Sequence, residues 1–349
     1  MKKLIFAAFA AGAMVLAGCT KVEVKEVPDS RAIRFDNFVS NSVKAIDETS
    51  DLTKFYVYGG YADHYDLFNG DEVSFADSKW GYTDTRYWLD DTTPYNFAAY
   101  SDDNNATTAT VALNAANTHL DITGYSVINS DKYGERDLVY AYATNTACNS
   151  NSGAVALTFR HILSKLVFKF TAEESLQDIK LTFSNIKLKN VYTTADFKGA
   201  ETSGNQIASS TWSNWSANTT SIEGFKSISN ANLEITGATA QNSFATDPKF
   251  MIPQAVPAQD NKFTLSFSVT LSGDNLDDYG LNTDPYDFTI ELPVPTGKTA
   301  WEPGFSYVYA ASLSVLNFND QLKPITFTAT VGGWEPDINT DADDITLNE

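Results

Sequence analysis

Few side chains in this sequence have the type and spacing that catalysis or metal binding demands. The three histidines, His64, His119 and His161, stand in separate segments and share no i, i+4 pair, so the spacing of a helical two-histidine metal site is missing. His161 sits in Phe159-Arg160-His161-Ile162-Leu163, where apolar neighbours favour a structural, hydrogen-bonded imidazole over a general base. Acidic pairs occur at Asp90-Asp91, Asp102-Asp103 and Asp277-Asp278, with a further cluster at 341–344. Paired carboxylates can hydrolyse a glycoside and carboxylate loops can hold Ca²⁺, but none of these has the Asp-x-Asp-x-Asp-Gly spacing, and solvated turns are the expected role. There is no Gly-x-Ser-x-Gly elbow and no P-loop. Cys148 lies in a polar stretch with no basic neighbour to depress its thiol pKa, which reads as a bystander. The expectation is a chain with no catalytic residue, no metal site and no cofactor. Two local patterns remain. Trp212 and Trp215, in a polar stretch at 201–220, could stack on sugars. Asp91-Thr92-Thr93 is similar to a short O-glycosylation acceptor, with Thr92 as the modified residue.

The clearest chemistry is at the start of the chain. Met1-Lys2-Lys3 is basic, residues 4–16 are apolar and too short for a permanent span, and Leu16-Ala17-Gly18-Cys19 follows. This is the pattern of a lipoprotein signal, in which cleavage frees Cys19 and its thiol is acylated. Several acyl chains anchor stably, at about 0.8 kcal/mol per buried methylene. The expectation is an outer-membrane or cell-surface protein held by lipid at Cys19, with 1–18 a signal peptide and 19–31 a tether.

Charge excludes other partners. The formal charge is −20, and loss of the two signal-peptide lysines leaves −22. So acidic a chain has no basic stripe for nucleic acid and no electrostatic attraction to anionic lipid. With 43% hydrophobic residues there is ample material for a core. Cys148 has no intramolecular partner once Cys19 carries lipid, so the fold must rest on packing.

The body of the chain alternates apolar and polar residues with period two. Phe263, Leu265, Phe267, Val269 and Leu271 alternate with Thr and Ser; so do Ile325, Phe327, Ala329 and Val331, and Ile179, Leu181 and Phe183. Further strands are expected at 55–58, 95–100, 138–143, 155–159, 166–170, 186–191, 288–294 and 307–315. Turn-forming clusters of Gly, Asn, Asp, Ser and Pro separate them. With no helical stripe after residue 18, the class is all-β, built as β-sandwiches. Low apolar content at 145–153 places a boundary there, dividing an N-terminal domain at 32–150 from a C-terminal one at 151–335. The acidic tail at 336–349 follows. The stretch 201–220 reads as a surface excursion.

Several segments together resemble the fimbrillin lipoproteins of Bacteroidales. They are Ala32-Ile33-Arg34-Phe35-Asp36-Asn37-Phe38, Leu52-Thr53-Lys54-Phe55-Tyr56-Val57-Tyr58-Gly59, Tyr87-Trp88 with Tyr95-Asn96-Phe97-Ala98-Ala99-Tyr100, and Phe159-Arg160-His161-Ile162-Leu163-Ser164-Lys165-Leu166. Met251-Ile252-Pro253-Gln254, Trp301-Glu302-Pro303-Gly304-Phe305-Ser306-Tyr307-Val308-Tyr309 and Val331-Gly332-Gly333-Trp334 complete the set. The resemblance implies two tandem transthyretin-like sandwiches and a subunit of a surface pilus that serves adhesion to host or bacterial ligands. It also implies assembly by β-strand addition. A protease removes the lipidated leader with its first strand, here centred on Ile33 and Phe35, and a neighbouring subunit's C-terminal strand fills the groove. In this chain Ile338, Ile345 and Leu347 are the donor candidates. Where family members tend to carry Arg at the cleavage point, this sequence has Val43-Lys44-Ala45, so either Lys44 is the candidate site for a protease of different specificity or the chain is an uncut member that keeps its lipid and anchors or caps a fibre. The alternative reading is a non-polymerising, glycan-binding surface lipoprotein that uses the loop tryptophans.

Overall fold

The computed structural model describes residues 31–37, 52–129, 132–150, 154–200, 211–217, 221–228, 233–237, 242–257, 261–319 and 323–333. Among these residues there is no α-helix; strands and short 3-10 turns make up the regular structure. Period-two alternation produces the sheets directly. In β21 (Thr264–Ser272) the side chains of Leu265, Phe267, Val269 and Leu271 are all buried. The two strands expected at 179–183 and 186–191 are one, β14 (Lys180–Lys189). Asn185 adopts a positive φ of 55°, and the register slips between Ser184 and Lys187. This bulge shifts the alternation, so that Ile186 and Leu188 join Leu181 and Phe183 in the core.

Six strands form the sheet that organises the first half of the molecule. Their order is β12 (Arg160–His161), β10 (Leu138–Thr146), β5 (Tyr95–Asp102), β2 (Lys54–Tyr61), β3 (His64–Ala76) and β4 (Lys79–Gly81). Its inner strand β5 is buried on both faces. On β5, Phe97 and Ala99 belong to a smaller apolar cluster and Ala98 and Tyr100 to a larger one. The smaller cluster is closed by β1 (Phe35–Asn37) and β11 (Val155–Leu157), which pair in parallel. The other face meets a four-stranded sheet of β16 (Trp212–Ala217), β15 (Tyr192–Lys198), β7 (Leu120–Ser126) and β6 (Thr110–Leu113). Tyr140 of β10 and Phe197 of β15 touch there, with ring centroids 5.3 Å apart.

A further sandwich stacks β18 (Ser243–Ala245), β13 (Ser164–Ala172), β24 (Phe305–Leu313) and β25 (Thr328–Gly333) on β17 (Glu234–Thr236), β14, β21 and β22 (Tyr286–Glu291). Phe170 bridges its two layers, 4.7 Å from Phe183 and 5.1 Å from Phe267. The fold is therefore a multi-sheet β-sandwich. Backbone pairs also cross the point near 150 where composition places a boundary: β1 with β11, and β7 with β15.

Two expectations are corrected. The stretch 201–220 is not wholly a surface excursion, because Trp212–Ala217 is a strand. Trp212 is buried and its indole N–H donates to the Ile162 carbonyl at 2.8 Å, so it is a core residue with no face free for a sugar.

The loop after Tyr133 ties three elements together. Gly134, at φ 66°, turns the chain, and a Cβ there would lie 3.0 Å from the Phe250 carbonyl oxygen. Three charged residues then fan out. Glu135 approaches the fully buried Lys249 ammonium at 3.5 Å, Arg136 reaches Asp102 at 3.5 Å, and Asp137 lies 2.6 Å from His161 Nδ1. Burial outweighs the Arg136 charge and the hydrogen bond from Tyr125, and it pushes the Asp102 carboxyl up to about 6. A carboxyl raised in the fold stabilises most when protonated, and that contribution is lost as pH rises from its ordinary value through about 6. Ionised Asp102 thus costs the fold about 3 kcal/mol at neutral pH. Urea denaturation of Asp102→Asn across this window is expected to show a flatter pH dependence than the parent chain. Parallel curves would show that Asp102 does not titrate there.

Candidate assembly site

The short segment 31–37 is held from two sides. On one side Ala32 bridges to Tyr87, the Ile33 N–H donates to the Arg86 carbonyl at 2.8 Å, and the Trp88 N–H donates to the Arg31 carbonyl at 3.0 Å. On the other side the Val155 N–H donates to the Arg34 carbonyl at 2.7 Å, and Phe35 stands opposite Val155 in the parallel ladder. The Tyr82 hydroxyl completes the cradle by donating to the Ile33 carbonyl at 2.8 Å. Burial raises the Tyr82 pKa, so that hydroxyl keeps its proton.

Alternation along the segment sends Ile33 and Phe35 inward, 1% and 3% exposed, and Arg34 and Asp36 outward. The Phe35 ring enters an aromatic cage. It stands edge-on to Phe68 at 5.3 Å, Phe97 at 5.4 Å, Tyr82 at 5.9 Å and Phe55 at 6.2 Å. Edge-to-face contacts of this kind contribute about 0.5–1.5 kcal/mol each beyond area burial. The floor of the cage comes from β2, β3 and β5 and one wall from the irregular segment 82–88. Arg86 buttresses that wall, pairing with Asp71 at 2.7 Å and lying 4.6 Å over the Phe68 ring.

The other sequence candidates fall elsewhere. Thr92 is exposed in a turn closed by Asp90, whose carboxylate accepts from the Thr92 and Thr93 N–H groups at 2.8 and 2.6 Å. Hydrogen bonds from the Thr93 hydroxyl and these two amides hold the Asp90 carboxyl down to about 2. Trp215 is 41% exposed, with its indole N–H donating to the Pro253 carbonyl at 2.9 Å. The His161 and Asp137 pair is buried and orients the loop described above rather than facing a cleft. Among the described residues no group of three or more His, Cys, Asp or Glu is placed to hold a metal ion, and no helix is long and apolar enough to cross a membrane. Cys19, Lys44, Ile338, Ile345 and Leu347 lie outside the described residues. Alternation in the sequence gives Ile33 and Phe35 as an inward pair, and their side chains are buried; Tyr82 and Arg86, in a segment with no strand pattern, are not singled out there, and Trp88 enters only through the Tyr87-Trp88 segment of the resemblance.

Comparison with known proteins decides the family. A family model described as fimbrillin-like matches residues 42–334. The chain belongs to the fimbrillin-like family. A crystal structure of a fimbrial protein from Bacteroides vulgatus shares the fold of this fimbrillin-like chain, with a TM-score of 0.59 and 17% identity, covering 87% of this chain and 99% of that one. A fimbrilin from Porphyromonas gingivalis aligns at 10% identity and a TM-score of 0.41, over 88% of this chain and 98% of that one. No curated protein matches the chain. The fimbrillin-like match begins after β1, so the segment that fills the cage lies outside the matched region.

Proposed function

We propose that this chain is a structural subunit of a cell-surface adhesive fibre, exported as a lipoprotein anchored at Cys19 and joined to its neighbours by strand exchange at the site of β1. Membership of the fimbrillin-like family supports the fibre role. The observation that carries the exchange reading is the seating of residues 31–37, which supply three buried side chains, Ala32, Ile33 and Phe35, and backbone partners on both edges. Cleavage after Lys44 would free the leader. Its departure strips partners from the Arg86 carbonyl, the Trp88 and Val155 amides and the Tyr82 hydroxyl, and each buried polar group left unmet costs about 1–3 kcal/mol. It also opens an apolar trough beside an unpaired edge, which a strand from another subunit relieves. The tail of a neighbour, with Ile338, Ile345 and Leu347, is the donor in this scheme.

Fatty-acid labelling combined with immunogold microscopy tests the anchored-fibre reading. The parent chain is expected to take up an alkyne-tagged fatty acid and to decorate surface filaments, and Cys19→Ser to lose both label and membrane retention. Gold on the cell surface without filaments would favour a glycan-binding lipoprotein instead, for which Trp215 is the exposed one of the two loop tryptophans.

A further inference from the structure

Lys249 opens β19 (Lys249–Met251) with its side chain 0% exposed, and its ammonium is poorly served there. Three oxygens meet it: Glu135 Oε1 at 3.5 Å, Asp247 Oδ2 at 3.4 Å and the Gly224 carbonyl at 3.2 Å. A charge-assisted bond between ammonium and carboxylate ordinarily closes to about 2.7–2.9 Å. The pairs Lys180–Glu234 and Lys262–Glu291, which face solvent, do close, at 2.8 and 2.7 Å. The pair that has lost its water needs the best geometry to offset that loss, yet its contacts stay long. We propose that Lys249 and Glu135 condense to a side-chain amide, an internal cross-link of the chain, with Asp247 carrying the protons. The cross-link does not depend on strand exchange.

The backbone brings the two groups together before any chemistry. The Phe250 N–H donates to the Gly134 carbonyl at 2.7 Å, and the Gly134 N–H donates to the Val127 carbonyl at 2.8 Å. Glu135 and Lys249 are the residues next to the Gly134–Phe250 bond, so their side chains start from adjoining points of two fixed strands of chain. Reactants held in this way meet without the entropy cost of encounter. Asp247 is clamped as well. Its Oδ1 accepts the Lys226 N–H at 2.7 Å and its own N–H donates to the Lys226 carbonyl at 2.7 Å, while Oδ2 turns to Nζ. Burial raises the Asp247 carboxyl above its ordinary range in spite of the Lys249 charge, so it holds a proton more readily than a surface aspartate. The Phe225 ring lies 5.2 Å from Nζ.

In the proposed step Asp247 takes one proton from the ammonium and passes it to a Glu135 oxygen. A neutral amine then faces a carboxylic acid. Nζ attacks Cδ of Glu135 and an N–C bond forms. A second proton leaves the nitrogen, again through Asp247, for the departing hydroxyl; the C–O bond breaks and one water is released. An ammonium and a carboxylate become one neutral amide, Asp247 ends as it began, and no further reactant is needed. The product removes two charges from a buried site where charge is costly. It also ties together residues 114 apart in sequence. Cys148 is a free thiol, so among the described residues no disulfide does this work.

Peptide mapping of the full chain tests the bond without any variant. The protein is unfolded in guanidinium, digested with trypsin and read by mass spectrometry. The expected product is residues 133–136 joined to residues 227–262, uncut at Lys249 and lighter by one water than the two pieces together. If the separate peptides 133–136, 227–249 and 250–262 account for the protein, the contact is an ordinary ion pair and the proposal is overturned. Asp247→Asn keeps a side-chain oxygen for the Lys226 N–H but carries no proton. It is expected to fold with the parent's circular dichroism and to yield the separate peptides. A folded Asp247→Asn chain that is cross-linked like the parent would overturn the role given to Asp247, and the parent digest alone decides whether the bond exists.

Discussion

Truncating Phe35 to alanine is expected to destabilise the full chain by about 3–5 kcal/mol in urea denaturation, with the midpoint shifted and the slope unchanged. The size follows from the site. The ring is 3% exposed, and three of its four aromatic neighbours, Phe55, Phe68 and Phe97, are fully buried on β2, β3 and β5, so the vacated volume collapses little. A single-domain stability is usually about 5–15 kcal/mol, so this one side chain holds a large share of it. Asp36→Ala, on the outward face of the same segment, is expected to change stability by no more than about 0.5 kcal/mol. A Phe35→Ala cost below about 1 kcal/mol would mean that β1 does not contribute to the fold, and the cage would lose its meaning as an exchange site.

Deleting the residues after Pro336 is expected to leave that unfolding curve unchanged and to abolish incorporation into fibres. The tail is too acidic to build a core of its own, so its removal is expected to cost the fold little. As a donor, however, it would supply a complete row of backbone hydrogen bonds to the next subunit, and its absence ends growth. Replacing both Ile345 and Leu347 with aspartate is expected to act the same way, because burying an uncompensated charge in an apolar groove costs several kcal/mol. Fibres from cells that also make the partner subunits, run without boiling, provide the readout as a ladder of slowly dissociating oligomers. A normal ladder from the truncated chain would remove the tail as donor.

The parts of this architecture that the sequence announces are those where one face of a strand is dry and unbroken. Phe263 through Leu271 is legible for that reason, and so is the inward pair Ile33 and Phe35. Strands with a bulge are harder to read. In β7 the alternation of Leu120 and Ile122 is broken at Gly124, with φ 73°, before Tyr125 returns to the core; the Asp196 carboxylate, 72 residues away in sequence, accepts the Gly124 N–H at 2.7 Å. β16 is hidden by polar composition, its inward Trp212 followed by Ser213 and Asn214. The wall of the Phe35 cage is hidden for a different reason. Tyr82, Arg86 and Trp88 meet Arg31 and Ile33 through single hydrogen bonds across about fifty residues of chain, as in Tyr82 to Ile33, a separation of 49, and no period-two pattern marks them. The fan of Glu135, Arg136 and Asp137 reads in sequence as an ordinary charged turn, and only the fold shows that each charge serves a different element.

Strand exchange requires residues 31–37 to leave when the subunit assembles, and the N-terminal residue of the protein recovered from purified fibres tests this most directly. The expected N-terminus is at or near Ala45, after Lys44, with Lys44→Gln trapping a lipidated precursor that is absent from fibres. Fibre subunits that still begin at Cys19 would contradict strand exchange at the β1 groove and leave the Phe35 cage as a permanent part of the fold.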